Sequence, residues 1–167
     1  MHPEQSEIMR AIVSSLKEYS PFRVLDVGSY DVNGNHRDQF DYPVEYVGLD
    51  VIPGPNVDLV VKDPYVWTEI TDGSFDVVIS GSTFEHIEFP WLTIREIARV
   101  LRPGGLAFII APSCGPMHRY PVDCYRFFPD GLVALAKWGG LQVVAVESIG
   151  KGEFNDTFAH LRKPHET

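Results

Sequence analysis

The sequence predicts an α/β protein: a doubly wound, mostly parallel sheet of seven strands with helices on both faces. Three observations carry that reading. Short β-branched runs alternate with segments whose apolar residues recur every 3.6 positions. The runs are nearly all apolar instead of alternating, as strands buried on both faces are. Several end on a glycine or an acid, where a parallel sheet sets its ligand-binding turns.

The elements follow in order. Residues Glu4 to Tyr19 space Ile8, Ile12, Val13 and Leu16 as one helical face, and Pro21 stops it. "FRVLDVG" (Phe22 to Gly28), "EYVGLD" (Glu45 to Asp50), "VDLVVKD" (Val57 to Asp63) and "SFDVVIS" (Ser74 to Ser80) read as four buried parallel strands. "PWLTIREIARVL" (Pro90 to Leu101) is a helix that ends before "RPGG", and "GLAFIIAPS" is the fifth strand. "PDGLVALAKWGG" is a helix with a glycine stop, "LQVVAVES" a sixth strand, and "NDTFAHLRK" a seventh.

With 167 residues, one domain spanning 1–167 is expected, with an N-terminal helix in 1–20, a core in 22–148 and a tail in 149–167 holding the last strand. A hydrophobic fraction of 44% and a charged fraction of 22% suit a soluble globular protein. Net charge is −9 and the 14 basic residues form no cluster beyond "LRKP", which argues against nucleic acid. No apolar run approaches the ~20 residues of a membrane span, and the start lacks a signal-peptide pattern, so no membrane association and a cytoplasmic location are expected. Cys114 and Cys124 form no CxxC pair and read as reduced thiols.

Ligands of such sheets bind beyond the carboxyl ends of the strands. Gly28 lets the backbone approach a ligand closely, and Asp50 ends the next strand about 22 residues on, where an acid meets a ribose. Asp63 ends the third strand and suits an exocyclic amine such as that of adenine, or else, between Lys62 and Pro64, is simply a turn residue. What is missing is G-x-G-x-x-G, the turn that holds a pyrophosphate. An adenosine site without a pyrophosphate cradle points to S-adenosylmethionine.

"VLDVGS", "YVGLD", "SFDVVISGSTFEHI" and "EIARVLRPGGLAFIIAPS", in this order, closely resemble the class I S-adenosylmethionine-dependent methyltransferases, specifically the type 11 methyltransferase domain family. The resemblance runs from about Phe22 to Ser148. It implies a Rossmann-like sheet with an antiparallel last strand, and S-adenosylmethionine as cofactor. Asp26, Gly28, Ser29 and Tyr30 would line its methionine part. Asp50 would bind the ribose, Val51 pack on the adenine and Asp63 take its amine, while Ser80 and Gly81 pass beneath the sulfonium. Relatives commonly carry glycine where this chain has Tyr30, so the ring must point away or form a wall. "DVNG" then reads as a turn, and Arg37 faces either the cofactor carboxylate or solvent.

His86 is a candidate general base, or else a helix-start histidine that shapes the pocket. Some methyltransferases hold a divalent metal with Glu-x-x-Glu-His, but here the first glutamate falls at Ser82. Cys114, His118, Cys124 and His86 match no common zinc spacing, so no metal is expected. "CGPMHRYPVDCYRF" follows the fifth strand and would border the acceptor. It makes His118 a second catalytic candidate and Arg119, Tyr120, Asp123, Tyr125 and Arg126 candidate acceptor contacts. The alternative is a self-satisfied loop in which Asp123 pairs with an arginine and Tyr125 packs on the core.

Methyl transfer is an in-line displacement that mainly requires the nucleophile about 3–3.5 Å from the methyl. The expected activity is methyl transfer to a small-molecule or glycan-type acceptor, by a chain that can act alone or as a homo-oligomer. Two rivals stand beside it: a noncatalytic cofactor-binding relative serving as a regulatory or partner subunit, and a nicotinamide-dependent oxidoreductase, which the missing glycine loop argues against.

Overall fold

The computed structural model describes residues 3–150 and 154–165; the side chains of residues 3 and 4, and the parts of the predicted tail at 151–153 and 166–167, lie outside the described residues. Helix α1 is Pro3–Leu16, followed by strands β1 (Arg23–Val27), β2 (Glu45–Asp50), β3 (Leu59–Val60) and β4 (Phe75–Gly81). Helix α2 (Pro90–Val100), strand β5 (Leu101–Cys114), helix α3 (Pro129–Trp138) and strands β6 (Gln142–Ile149) and β7 (Asn155–Arg162) complete the order.

The seven strands form one sheet in the order β3-β2-β1-β4-β5-β7-β6. β1 to β5 pair in parallel, and β7 is antiparallel to both β5 and β6. Chain order reverses between β1 and β4, so the crevice of a doubly wound sheet opens at the ends of those two strands.

The apolar stripe of α1 (Met9, Ile12, Val13, Leu16) packs on Val24, Val77, Ile79 and Ile110 of one sheet face. On the other face Ile94, Ile97 and Val100 of α2 and Leu132 and Ala136 of α3 pack on Leu25, Val78 and Ile109. Each fully buried side chain of this size contributes about 1.5–3 kcal/mol. Among the described residues, no α-helix lies between β1 and β2 or between β2 and β3. Phe22, Phe40, Tyr42 and Tyr46 cover that side instead, with ring centroids 5.7 to 6.4 Å apart.

Two local expectations change. The predicted third strand shrinks to Leu59–Val60, because Asp58 turns its carboxylate to accept from Gly48 N at 2.8 Å and the chain folds back at the Asp63–Val66 bridge. "RPGG" is no connection: it is a bulge inside β5, where pairing jumps from Phe75–Leu101 to Val77–Leu106 and Gly104 adopts φ +78°. Among the described residues no helix is long and apolar enough to cross a membrane. Cys114 and Cys124 are free and exposed.

Candidate functional site

A cleft of about 1140 Å³ opens over the ends of β1, β2, β4 and β5, larger than the roughly 300–1,000 Å³ that holds one small ligand. Its floor begins at Gly28, whose φ of +78° puts it in the left-handed region that favours glycine. A Cβ there would stand 2.2 Å from Thr83 Oγ1, so the turn after β1 packs directly on the turn after β4. The N–H groups of Gly28 and Ser29 both donate to Leu49 O, at 2.9 and 3.0 Å.

Asp26 is buried under this turn and accepts from the Tyr46 hydroxyl. Burial pushes its carboxyl up, the nearby His36 and the Tyr46 bond opposing. Asp26 Oδ1 and Ser29 Oγ are buried without hydrogen-bond partners among the described residues. Both residues line the cleft, and an uncompensated buried polar atom costs about 1–3 kcal/mol. Such a floor fits a ligand bearing a cationic amine.

Asp50 lies at the end of β2, where Oδ1 accepts from Val51 N at 2.7 Å and Oδ2 from Tyr30 N at 3.1 Å. Tyr30 lays its ring on the β2–β3 loop: a Cβ on Gly54 would lie 2.1 Å from Tyr30 Cε2. The ring thereby forms a wall where a second glycine would leave a gap.

Of the residues singled out from sequence, Asp26, Gly28, Ser29, Tyr30, Asp50, Val51 and Gly81 line the cleft, and so do His86, His118, Arg119 and Tyr120. Asp63 and Ser80 lie outside the lining. Asp63 Oδ1 accepts from Tyr65 N at 2.7 Å, closing its own turn, and the buried Ser80 hydroxyl donates to Val27 O at 2.9 Å. Arg37 also faces away, bonded to Asn56 Oδ1 at 2.7 Å, paired with Asp58 and stacked over Tyr46.

The loop after β5 splits in two. Asp123 and Arg126 pair bidentately, at 2.6 and 2.9 Å, which holds the Asp123 carboxyl well below the usual range. Asp123 Oδ2 also accepts from His118 N at 2.7 Å, and Arg126 donates to Pro116 O at 2.8 Å. Tyr125 donates to Glu88 O at 2.9 Å and tilts against Phe127. These three residues fasten the loop and lie outside the lining, whereas His118, Arg119 and Tyr120 reach the cleft.

Sequence reasoning passed over His36, Gln5 and the role of Glu85. His36 is buried against Gly81, and burial pushes its imidazole down. Gln5 reaches from α1 to accept from Ser82 Oγ at 2.8 Å. Neither belongs to a local motif, so only the packing of α1 and the β1–β2 loop on the end of β4 finds them. Glu85 is 1% exposed at the foot of the acceptor loop, where Cys124 N donates to its carbonyl at 2.7 Å. Burial pushes its carboxyl up to about 8.

Residues 25–109 match the model of a family described as "Methyltransferase domain". An uncharacterized methyltransferase of Mycobacterium sp. (strain KMS) is 36% identical over 74 residues, covering 40% of this chain and 29% of that protein. The 27-O-demethylrifamycin SV methyltransferase of Amycolatopsis mediterranei is 36% identical over 101 residues, covering 55% of this chain and 29% of that protein. This chain thus spans under a third of the length of these two relatives. In fold it is similar to the Burkholderia thailandensis 1,6-didemethyltoxoflavin-N1-methyltransferase, solved with 1,6-didemethyltoxoflavin and S-adenosylhomocysteine, at a TM-score of 0.74 and 18% identity over 97% of this chain and 80% of that one. A cleft at the switch point of a seven-stranded sheet, an acid closing β2 and a family match across half the sequence converge: the chain belongs to the methyltransferase-domain family.

Proposed function

We propose that the protein transfers a methyl group from S-adenosylmethionine to a small-molecule or glycan-type acceptor. The observation that carries this reading is the division of one cleft into two chemically different ends. One end holds Asp26, Gly28, Ser29, Tyr30, Asp50 and Val51; the other holds His86, His118, Arg119 and Tyr120.

When bound, the cofactor supplies a methyl group activated on a sulfonium. Asp50 accepts hydrogen bonds from ribose hydroxyls, which charge assistance makes worth about 1.5–3 kcal/mol each. Val51, 52% exposed, offers an apolar face to the adenine. Asp26 Oδ1 and Ser29 Oγ, buried without partners among the described residues, receive the methionine ammonium, and Gly81, packed closely on His36 and Gln5, passes beneath the sulfur end. Asp63, facing its own turn, is at most an indirect support for the adenine edge, and Ser80 supports the floor through Val27.

At the acceptor end, Arg119 and Tyr120 meet hydroxyls or an acid on the acceptor, while Asp123, Tyr125 and Arg126 hold the loop that carries them. His86 or His118 presents Nε2 to the acceptor hydroxyl, and one of the two takes its proton. A base of this kind adds about 10²–10⁴-fold.

Calorimetry with S-adenosylmethionine tests the reading. Saturable binding that S-adenosylhomocysteine competes away is expected. No binding at millimolar ligand would sink it, and binding without transfer to any of a panel of hydroxylated small molecules and glycans would place the chain with noncatalytic cofactor-binding relatives.

A further inference from the structure

Glu85, His86 and His118 each offer one ligand atom within 4.8 Å of the others. They come from the turn after β4 and the loop after β5, and their meeting has a specific chemistry. His86 Nδ1 lies 2.6 Å from Val122 O, and His118 Nδ1 lies 3.2 Å from Pro116 O. A carbonyl only accepts, so in each neutral ring the proton sits on Nδ1 and Nε2 carries a bare lone pair. Both Nε2 atoms face the same carboxylate oxygen, Glu85 Oε1, at 3.6 and 3.8 Å. The second oxygen, Oε2, is buried with no hydrogen-bond partner among the described residues. Two lone pairs and a carboxyl group converge on one point.

We infer that Glu85, His86 and His118 form a binding site for a first-row divalent cation such as Zn²⁺, at the acceptor end of the cleft. Two imidazoles and one carboxylate are the donor set such ions take, and two nitrogen ligands disfavour Mg²⁺ and Ca²⁺. The Nδ1 bonds to Val122 O and Pro116 O are the outer contacts that aim metal-binding histidines. Metal–ligand bonds of about 2.0–2.2 Å set ligand atoms roughly 3–3.5 Å apart, so the two Nε2–Oε1 separations need to close by only a few tenths of an ångström. His118, on a loop and 42% exposed at its side chain, takes up the remaining movement.

All three residues line the cleft, so the remaining coordination positions open toward the acceptor. An acceptor hydroxyl bound there loses its proton to water more readily, as water does on a bound metal. With the ion bound the histidines act through it; in the metal-free chain their Nε2 atoms remain available as bases. This role deepens the methyl-transfer reading and rests on it; the binding of the ion does not.

The test uses the full chain, stripped with a chelator and dialysed, without cofactor or acceptor. Titration with Zn²⁺ by calorimetry should show one ion per chain, and Co²⁺ should give the visible absorption of a nitrogen- and oxygen-ligated ion. His118→Ala and Glu85→Gln should each weaken Zn²⁺ by at least about tenfold, the scale on which even outer contacts matter, with circular dichroism unchanged for His118→Ala. Absence of saturable binding to the wild-type chain overturns the site, as does binding that His118→Ala leaves intact. Failure of S-adenosylmethionine binding with metal binding preserved would instead reject the methyl-transfer reading alone.

Discussion

Asp50 Oδ2 accepts from the backbone N–H of Tyr30 at 3.1 Å, so a single carboxylate ties the turn after β1 to the end of β2. Its Oδ1 is held by Val51 N at 2.7 Å, which fixes the carboxylate plane at the mouth of the cleft. Removing that side chain frees both turns and deletes the ribose acceptor together. Asp50→Ala should weaken S-adenosylmethionine binding by about tenfold or more, the loss of one charge-assisted hydrogen bond or a little over. Calorimetry reads this directly, and an unchanged affinity would mean that the ribose is held elsewhere.

Asp26 sits in the opposite position, buried with its pKa raised chiefly by burial. A carboxyl whose folded pKa exceeds its unfolded value stabilises the fold most below the unfolded value, near 3.8. That contribution disappears as pH climbs through the raised folded value. Asp26→Asn should therefore raise the melting temperature at neutral pH, with the gain shrinking as the pH is lowered. The same variant should bind the cofactor more weakly, since the amide no longer attracts a cationic amine. Thermal scans across pH check the first part; a gain that is the same at every pH would contradict it.

Arg126 grips Asp123 through two bonds and also caps Pro116 O. Because Asp123 in turn holds His118 N, this pair positions the acceptor loop from outside the cleft. Arg126→Ala should lower turnover by about tenfold while leaving cofactor affinity nearly intact, and Arg126→Lys should restore little, since an ammonium cannot reproduce the fork. Loss of cofactor binding in Arg126→Ala would show that the two ends of the cleft are not separable. His86→Ala should likewise leave cofactor affinity nearly intact, with turnover lowered by about 10²-fold or more.

Arg99 ties α2 to the loop between β3 and β4: it pairs with Glu96 and Asp72 and donates to Trp67 O and Ile70 O at 2.8 Å. Trp67 N in turn donates to Glu96 Oε2 at 2.7 Å. Arg99→Ala removes the donors to Glu96 Oε1 and Ile70 O, while Glu96 Oε2 keeps Trp67 N and Trp67 O keeps Ile70 N, and should cost about 1–3 kcal/mol. Urea denaturation measures it; a loss below a few tenths would assign the cluster to solvated surface.

By itself the sequence determined the order of strands and helices, the strand ends that would meet a ligand, and the acid that closes β2. These follow from short-range rules: side-chain periodicity, proline and glycine stops, and a fixed spacing between Gly28 and Asp50 along two adjacent strands. Tertiary structure decided which of the available partners each polar side chain took. Asp63 closed its own turn, and Asp123 took Arg126 because an ion pair three residues apart forms more cheaply than one reaching across a cleft. Glu85 turned inward to meet His118, 33 positions away along the chain, and Gln5 of α1 met Ser82 at the end of β4. No local pattern encodes such meetings, because they depend on where β4 and β5 place their loops once the sheet has formed.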